Sequence, residues 1–371
     1  MFIALVLIMV LFQVITDGIL LRPLNITNLV MQNSYVLILA IGMVLIIIAG
    51  HIDLSVGSVV AFIGAISAVL SIHMHLPTIV VFVISLAIGA CIGAWQGFWV
   101  AYVKIPAFIV TLAGMLVFRG LTMLILKGES LAPFPRNFQL VSSGFIPDVF
   151  KGSSLNILTI AVGLLCTVAY IFIELNGRKK QKKYQLQTTS GPLFVARIIV
   201  IACLINVFSY IFATYEGIPY ILVILIALIL AYSFVMKRTT MGRQVYAIGG
   251  NANAASLSGI KTPRVTFWIF VNMGVLAALT GLIVAARLNA ATPKAGTNFE
   301  LDAIAACFIG GASAYGGIGT VGGAIVGALV MGVMNNGMSI LGLGIDWQQT
   351  IKGLVLLLAV AFDVYNKNKA V

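Results

Sequence analysis

The chain is poor in charge. Only 9% of its 371 residues are charged, whereas 61% are hydrophobic. Soluble domains carry about 25% charged residues. A water-soluble protein of this composition would lack the polar groups needed to cover its surface. The sequence therefore indicates a protein whose solvent is the lipid bilayer.

Residues that carry chemistry are also scarce. The cysteines all lie within apolar runs, and no two form a C-x-x-C pair, which argues against a zinc site or a disulfide framework. His73 and His75 form an isolated H-x-H, and His51 stands alone, so we expect no metal site. No nucleophile–base pair is evident, which makes an intramembrane enzyme a poor fit. The cysteines are Cys91, Cys166, Cys203 and Cys307.

Nucleotide-binding motifs are missing as well. No G-x-x-x-x-G-K-[ST] occurs in the chain, so we expect it to bind no ATP and no other cofactor. The net charge of +12 does not indicate nucleic-acid binding, because the basic residues occupy short loops between apolar runs. We expect no nucleic-acid partner.

Long apolar runs dominate what is present. A helix needs about 20 apolar residues to cross a membrane. The sequence predicts an all-α polytopic membrane protein with ten to twelve crossings and short re-entrant segments. Leu301–Ile318 is short and glycine-rich, and we expect it to re-enter. The predicted crossings are Met1–Ile15, Leu29–Ala49, Leu54–Leu70, Thr78–Val103, Ile105–Leu126, Leu155–Ile173, Leu193–Thr214, Ile218–Met236, Thr266–Leu288, Thr320–Leu341 and Gln348–Phe362.

The basic residues predict the orientation. With a cytoplasmic N-terminus, the inside loops hold thirteen Lys and Arg residues and the outside loops hold five. Cytoplasmic loops carry such an excess. The predicted cytoplasmic loops are 177–192 and 237–265, and the predicted external loop is 127–154. Residues 1–371 are predicted to form a single transmembrane domain.

Two stripes of small residues repeat every four positions, Gly89-Gly93-Gly97 and Gly319-Gly323-Gly327. Small residues let helices approach closely in lipid. We favour packing within the chain over a sliding surface between two transporter halves. Leu54–Leu70 and Thr320–Leu341 are both rich in small residues and both follow a glycine-marked break, which indicates an internal repeat.

Polar groups interrupt the apolar runs. Asp53 and Ser55 fall at a predicted turn, where either could cap the next helix; the alternative is a gate or ion site on a translocation path. Neutral hydrogen-bonding and aromatic groups within the spans suit a sugar, although bonding between helices is the simpler explanation for each. These candidates are Asn33, Trp95, Gln96, Asn272, Asn335 and Asn336.

The cytoplasmic run Gly242–Ile260 contains a predicted short helix. Asn251 can cap it and Gly259 can end it. Such a helix could dock into a partner protein, with Ala254 and Ala255 as small contact surfaces. The residues predicted for this contact are Gly242, Arg243, Tyr246, Gly249, Asn251, Ala254, Ala255 and Gly259.

Four motifs resemble the permeases of the ribose/xylose and branched-chain amino acid group of bacterial ABC importers. They are Ile52–Ser58, Ile105–Leu112, Gly242–Ile260, and Glu300–Ala306 followed by Ile309–Ser313. The family usually has Gly-Gly before the Ile-Asp-Leu-Ser run, where this chain has Gly50-His51. This departure, and extra sequence around Glu174–Tyr215, resemble the xylose and multiple-monosaccharide permeases.

The resemblance implies a function. The chain would be an inner-membrane permease domain that translocates a monosaccharide, such as xylose, arabinose, galactose or a glucose-like sugar. It would act without enzymatic activity of its own, paired with a second permease chain, most simply as a homodimer. A separate ATPase subunit using ATP and Mg²⁺ would dock on Gly242–Gly259, and a periplasmic binding protein would deliver the sugar.

The alternative is an ion-coupled secondary transporter of a small polar solute. Such transporters keep carboxylates at mid-depth in the membrane. In this sequence we expect the carboxylates at segment ends or in loops, which argues against that alternative.

Overall fold

The computed structural model describes residues 2–148, 155–185 and 190–370. Helices form its regular secondary structure throughout this part, which confirms the predicted all-α polytopic class. Residues 149–154 of the predicted external loop and residues 186–189 of a predicted cytoplasmic loop lie outside the described residues.

The described residues contain fifteen helices. In chain order they are α1 (Phe2–Ile15), α2 (Pro23–Ile48), α3 (Val56–Ala68, continued by a π-helical turn Val69–His73), α4 (Thr78–Ala101), α5 (Ala107–Leu126), α6 (Arg136–Ser143), α7 (Ile157–Lys183), α8 (Gly191–Ala213), α9 (Tyr220–Arg238), α10 (Thr240–Gly250), α11 (Ala252–Leu257), α12 (Thr262–Leu288), α13 (Phe299–Ile309), α14 (Val321–Ile340) and α15 (Ile345–Ala370).

Nine of these helices have the length and apolarity to cross a membrane, counted over the described residues. They are α2 to α5, α7 to α9, α12 and α14. α1 is shorter, with 14 residues. α13 has 11 residues and is about 16 Å long at 1.5 Å per residue, so it cannot cross a hydrocarbon core of about 30 Å. This length agrees with the predicted re-entry.

The described chain divides into two compact units by its internal contacts. The first unit holds α1, most of α2, α3 to α6 and α9 to α15. The second unit holds the start of α2 together with α7 and α8. The single domain over residues 1–371 stays a prediction.

In the second unit, α7 and α8 are joined by polar contacts. Asn206 donates from Nδ2 to Oγ1 of Thr167 at 2.9 Å, and Ser209 donates to the carbonyl of Thr159 at 2.8 Å. α7 continues to Lys183, so the start of the predicted loop 177–192 is helical instead. Lysine and arginine favour helices and are stabilised at a helix C-terminus by the helix dipole.

In the first unit, the Gly89-Gly93-Gly97 stripe brings α4 into backbone contact with α12. A methyl group at Gly89 would overlap the Gly274 carbonyl, and one at Gly93 would overlap the Phe270 carbonyl. The second stripe packs in the same way. A methyl group at Gly323 would overlap the Gly310 carbonyl, and one at Gly327 would overlap the Ala306 carbonyl. Both stripes therefore contact other elements of this chain, as the packing interpretation predicts.

The close approach of α4 and α12 gives a prediction about stability. Gly93→Ala should lower the thermal unfolding temperature in detergent, because overpacking costs about 1–3 kcal/mol. Gly120→Ala on α5 is the matched control, since a methyl group there meets nothing within 4 Å. Fluorescence-monitored melting of both variants checks this, and equal melting temperatures would contradict the α4–α12 contact.

Candidate functional site

Two helices of the first unit begin at the same place in its interior. α3 begins at Val56, after a non-helical stretch that follows the end of α2 at Ile48. α13 begins at Phe299, after the chain returns from the end of α12. Gly57 and Gly296 lie in backbone contact at this point, and a methyl group on either would overlap the carbonyl of the other. The starts of the two helices therefore meet.

A buried network of polar side chains lies at the start of α3. The Asp53 carboxylate accepts from the backbone N–H of Ser55 at 2.8 Å and from its hydroxyl at 2.7 Å. Gln96 of α4 donates from Nε2 to the Ser55 hydroxyl at 2.7 Å. All three side chains are buried, with Asp53 2% exposed. The structure thus joins three of the predicted path residues in one network.

Capping of α3 was predicted for Asp53 or Ser55. The Ser55 side chain makes no cap bond from the N-cap position, so that half of the interpretation is wrong. Asp53 does accept the backbone N–H of Ser55 at the start of the helix. The role of Asp53 and Ser55 in a gate stays a prediction.

A second polar cluster lies at the start of α13. Tyr35 of α2 donates to Asp302 at 2.7 Å. Lys352 of α15 forms an ion pair with Asp302 at 3.1 Å. Asn335 of α14 lies 3.5 Å from the Tyr35 hydroxyl. Of these four residues, only Asn335 was among the sequence candidates.

The carboxylates lie where the sequence placed them, and the structure adds that they are buried. Asp53 precedes α3, and Glu300 and Asp302 lie in the first turn of α13. Their exposures are 2%, 9% and 3%. The burial results from the chain turning back between α12 and α13, and hydropathy does not show which residues of that turn become buried. The available signal was the Glu300-x-Asp302 pair within an apolar segment, since charges there are costly and mark function.

Glu300 and Arg119 lie beside this junction. Arg119 donates from Nη1 to the carbonyls of Pro293 and Ala295 at 3.1 and 2.7 Å, and so holds the returning chain. Its guanidinium also interacts electrostatically with Glu300. In the described part of the chain, Oε2 of Glu300 is buried without a hydrogen-bond partner. Among these same residues, no group of three His, Cys, Asp or Glu could hold a metal ion.

The remaining path candidates lie on α2, α4, α12 and α14. Asn33 donates to Leu29 of its own helix and packs against Gly332 of α14. Trp95 is 41% exposed and meets Phe118 edge to face. The amide oxygen of Asn272 accepts a bond from Tyr232, and Asn336 is buried on α14. For Asn33 and Asn272 the structure thus shows bonding within or between helices.

The run from Gly242 to Ile260 forms α10 and α11. The Thr239 hydroxyl accepts from Gly242 N–H at 3.4 Å and caps α10. Asn251 accepts from Ala254 N–H at 2.9 Å and caps α11, while Gly259 follows with φ +86°. The predicted cap and the predicted end of the short helix are confirmed.

α10 is fixed to the ends of the helices beside it. Tyr246 donates to the Gly319 carbonyl at 2.7 Å. Burial raises the pKa of the Tyr246 hydroxyl, so it stays protonated and able to donate at neutral pH. Gly249 lies against the Ile48 carbonyl, which itself accepts from Gly317 N–H at 2.8 Å. The end of α2, the turn before α14 and α10 therefore form one connected structure.

The exposed face of α11 differs from the one expected. Ala254 is exposed, but Ala255 is buried at 4% exposure. Leu257, which the sequence analysis did not single out, is 91% exposed. Arg243 is exposed on α10, and a cavity of about 580 Å³ lies between Tyr102 and the segment Gly259–Arg264. Leu257 and this groove both belong to the cytoplasmic run that the sequence predicts to contact a partner.

Comparison with known proteins places this architecture in a family. The profile of the branched-chain amino acid transport system / permease component family matches residues 25–360. The xylose transport system permease protein of Haemophilus influenzae is 40% identical over 369 residues, covering 100% of this chain and 96% of the relative.

Two further relatives are also sugar permeases. The xylose transport system permease protein of Escherichia coli K12 is 39% identical, covering 99% of this chain and 91% of the relative. The ribose import permease protein of the same strain is 34% identical, covering 91% and 85%. No solved structure matches the chain significantly. The chain therefore belongs to this permease family, in the branch that contains the xylose and ribose permeases, and is a multi-pass protein of the inner membrane.

Proposed function

We propose that the chain is the translocation subunit of an ATP-driven importer for a monosaccharide, with xylose the first candidate and arabinose, galactose and glucose-like sugars next. The similarity to xylose permeases over the whole chain carries this proposal. The two interior polar clusters support it, one at Ser55 and Gln96 and one at Tyr35 and Asp302, with the Tyr35–Phe299 ring pair at the second.

ATP and Mg²⁺ belong to a partner subunit under this proposal. Since no Walker motif occurs in the chain, ATP hydrolysis would fall to that subunit, and the chain itself would act without enzymatic activity. The surface of α10 and α11 with Leu257 exposed would receive the ATPase. A periplasmic binding protein would deliver sugar to the opposite face, and a second copy of the chain would complete a homodimer.

The alternative function is ion-coupled secondary transport, which an uptake experiment can distinguish from ATP-driven import. The buried carboxylates remove one argument against it, while the full-length match to transport-system permeases favours ATP as the energy source.

The test is uptake of radiolabelled D-xylose into proteoliposomes that contain the permease, the ATPase and the binding protein encoded with it. We expect uptake to need enclosed ATP and to survive ionophores. The purified permease alone should hydrolyse no ATP. Uptake that follows a proton or sodium gradient without ATP would replace this proposal with the secondary transporter.

Orientation gives a further prediction. Gln181 and Asn251 are exposed and are predicted to face the cytoplasm, because the surrounding loops are rich in Lys and Arg. Cysteines at these positions, in a background without native cysteines, should escape a membrane-impermeant maleimide on intact cells and react after permeabilisation. Glu129→Cys, in the predicted external loop, is the control that should react on intact cells. Labelling of Asn251→Cys from outside would reverse the topology.

A further inference from the structure

A cavity of about 400 Å³ lies among α2, α13, α14 and α15 of the first unit. Its size falls in the range of about 300–1,000 Å³ that small-molecule sites occupy. Tyr35, Asp302 and Lys352 line it together with three side-chain amides, those of Asn298, Gln348 and Gln349. The cavity therefore gathers charged, amide, hydroxyl and aromatic groups in a chain that otherwise has few of them.

One wall of the cavity is aromatic. The rings of Tyr35 and Phe299 stack with centroids 3.8 Å apart and an interplanar angle of 21°. A stacked pair is rigid and presents an apolar surface next to the polar groups of the other walls. Binding sites for small molecules combine apolar walls with a few placed polar groups in this way.

The charged groups of the cavity are paired. Asp302 is 3% exposed and accepts from the Tyr35 hydroxyl as well as from Lys352. A buried ion pair contributes little net stability, because desolvation of both ions offsets their attraction. Its presence inside a membrane protein is better explained by function.

The pairing also selects the kind of ligand. A carboxylate and an ammonium side by side leave no net charge, so the pair gives little net attraction to a ligand that carries a single charge. A neutral molecule with adjacent hydroxyl groups can donate to Asp302 and accept from Lys352 at once. Asn335, beside the Tyr35 hydroxyl, has a buried amide oxygen without a partner among the described residues.

We propose that this cavity binds the neutral polyhydroxylated substrate during its passage, with Tyr35 and Phe299 as platform and Asp302, Lys352 and Gln349 as specificity-determining contacts. The inference rests on the proposed function, since it names where that substrate touches the permease. It adds a selective step within the membrane, after delivery to the outer face.

The test compares two sugars in one experiment. Proteoliposomes with the complete importer receive D-xylose and D-glucose carrying different radiolabels, and the uptake ratio is measured. A residue that touches the sugar changes this ratio, whereas a residue with only a structural role lowers both uptakes in parallel. We expect Gln349→Ala and Tyr35→Phe to shift the ratio about fivefold, the factor that corresponds to one hydrogen bond.

The control is Thr350→Ala, since Thr350 lies next to Gln349 on α15 but bonds only to Asp346 of its own helix. Gln349 is exposed, so its replacement leaves the packing intact. An unchanged ratio in both Gln349→Ala and Tyr35→Phe would overturn the inference.

The double exchange Asp302→Lys with Lys352→Asp distinguishes a sugar contact from a structural ion pair. If the pair only holds α13 and α15 together, the exchange should restore it and give the wild-type xylose-to-glucose uptake ratio. That result would count against the inference. A wild-type importer that takes up no sugar at all would refute the proposed function instead.

Discussion

Replacement of Leu257 by serine is expected to weaken association of the permease with its ATPase at least tenfold. Leu257 ends the capped helix α11 and is 91% exposed. Burying a leucine side chain contributes about 1.5–3 kcal/mol, and each 1.4 kcal/mol is a factor of ten in affinity. Titration of immobilised permease with purified ATPase measures the effect, and sugar uptake should fall with it.

Leu257→Met is the matched control, because it keeps the apolar volume and should retain binding. Ala255 was predicted as a contact residue but is buried, so Ala255→Glu should disrupt α11 itself and does not test docking. Full ATPase binding by Leu257→Ser, in protein that remains folded, would show that this surface of α11 is not the docking surface.

The spanning helices could be read from the sequence because their signal is local. Thr78–Val103 was predicted and α4 occupies Thr78–Ala101; Ile105–Leu126 was predicted and α5 occupies Ala107–Leu126. A helix that crosses the bilayer needs about 20 apolar residues, so a run of that length can be recognised from the sequence alone. The cap of α11 was equally local, since Asn251 bonds to a group three residues away.

The interior site could not be read in the same way, because its contacts are remote in sequence. Tyr35 and Asp302 are separated by 267 positions. They meet because the chain turns back after α12 and starts α13 beside α2. The sequence predicts a re-entrant segment at Leu301–Ile318 and a crossing at Gln348–Phe362. Hydropathy does not show that Asp302 of the first and Lys352 of the second form a pair, which is why this site was missed.

The face of α11 posed a different problem. Its six residues are fewer than two turns, so apolar periodicity cannot tell which side packs inward. Ala254 and Ala255 are alike in sequence, and only the contacts of α10 and α11 distinguish the exposed one from the buried one.

Gly249→Ala should abolish most transport while leaving much of the ATP hydrolysis. A methyl group at Gly249 would occupy the position of the Ile48 carbonyl and crowd Gly317, so α10 must move away from the end of α2. Overpacking of this kind costs about 1–3 kcal/mol. This movement also separates α10 from the end of α2. A partner docked on α10 and α11 could then no longer move the non-helical stretch between the end of α2 and the start of α3.

Gly250→Ala provides the control on the next residue of the same helix. A methyl group there meets nothing within 4 Å, and alanine in a helix is more stable than glycine by roughly 0.5–1 kcal/mol. We therefore expect Gly250→Ala to keep or raise the melting temperature and to retain uptake, whereas Gly249→Ala should melt lower and lose at least about tenfold in sugar moved per ATP hydrolysed, a factor that corresponds to about 1.4 kcal/mol. Equal coupling ratios in the two variants would mean that α10 does not transmit movement through its contact with Ile48, which would leave its other contacts, such as the Tyr246–Gly319 bond, as the connection.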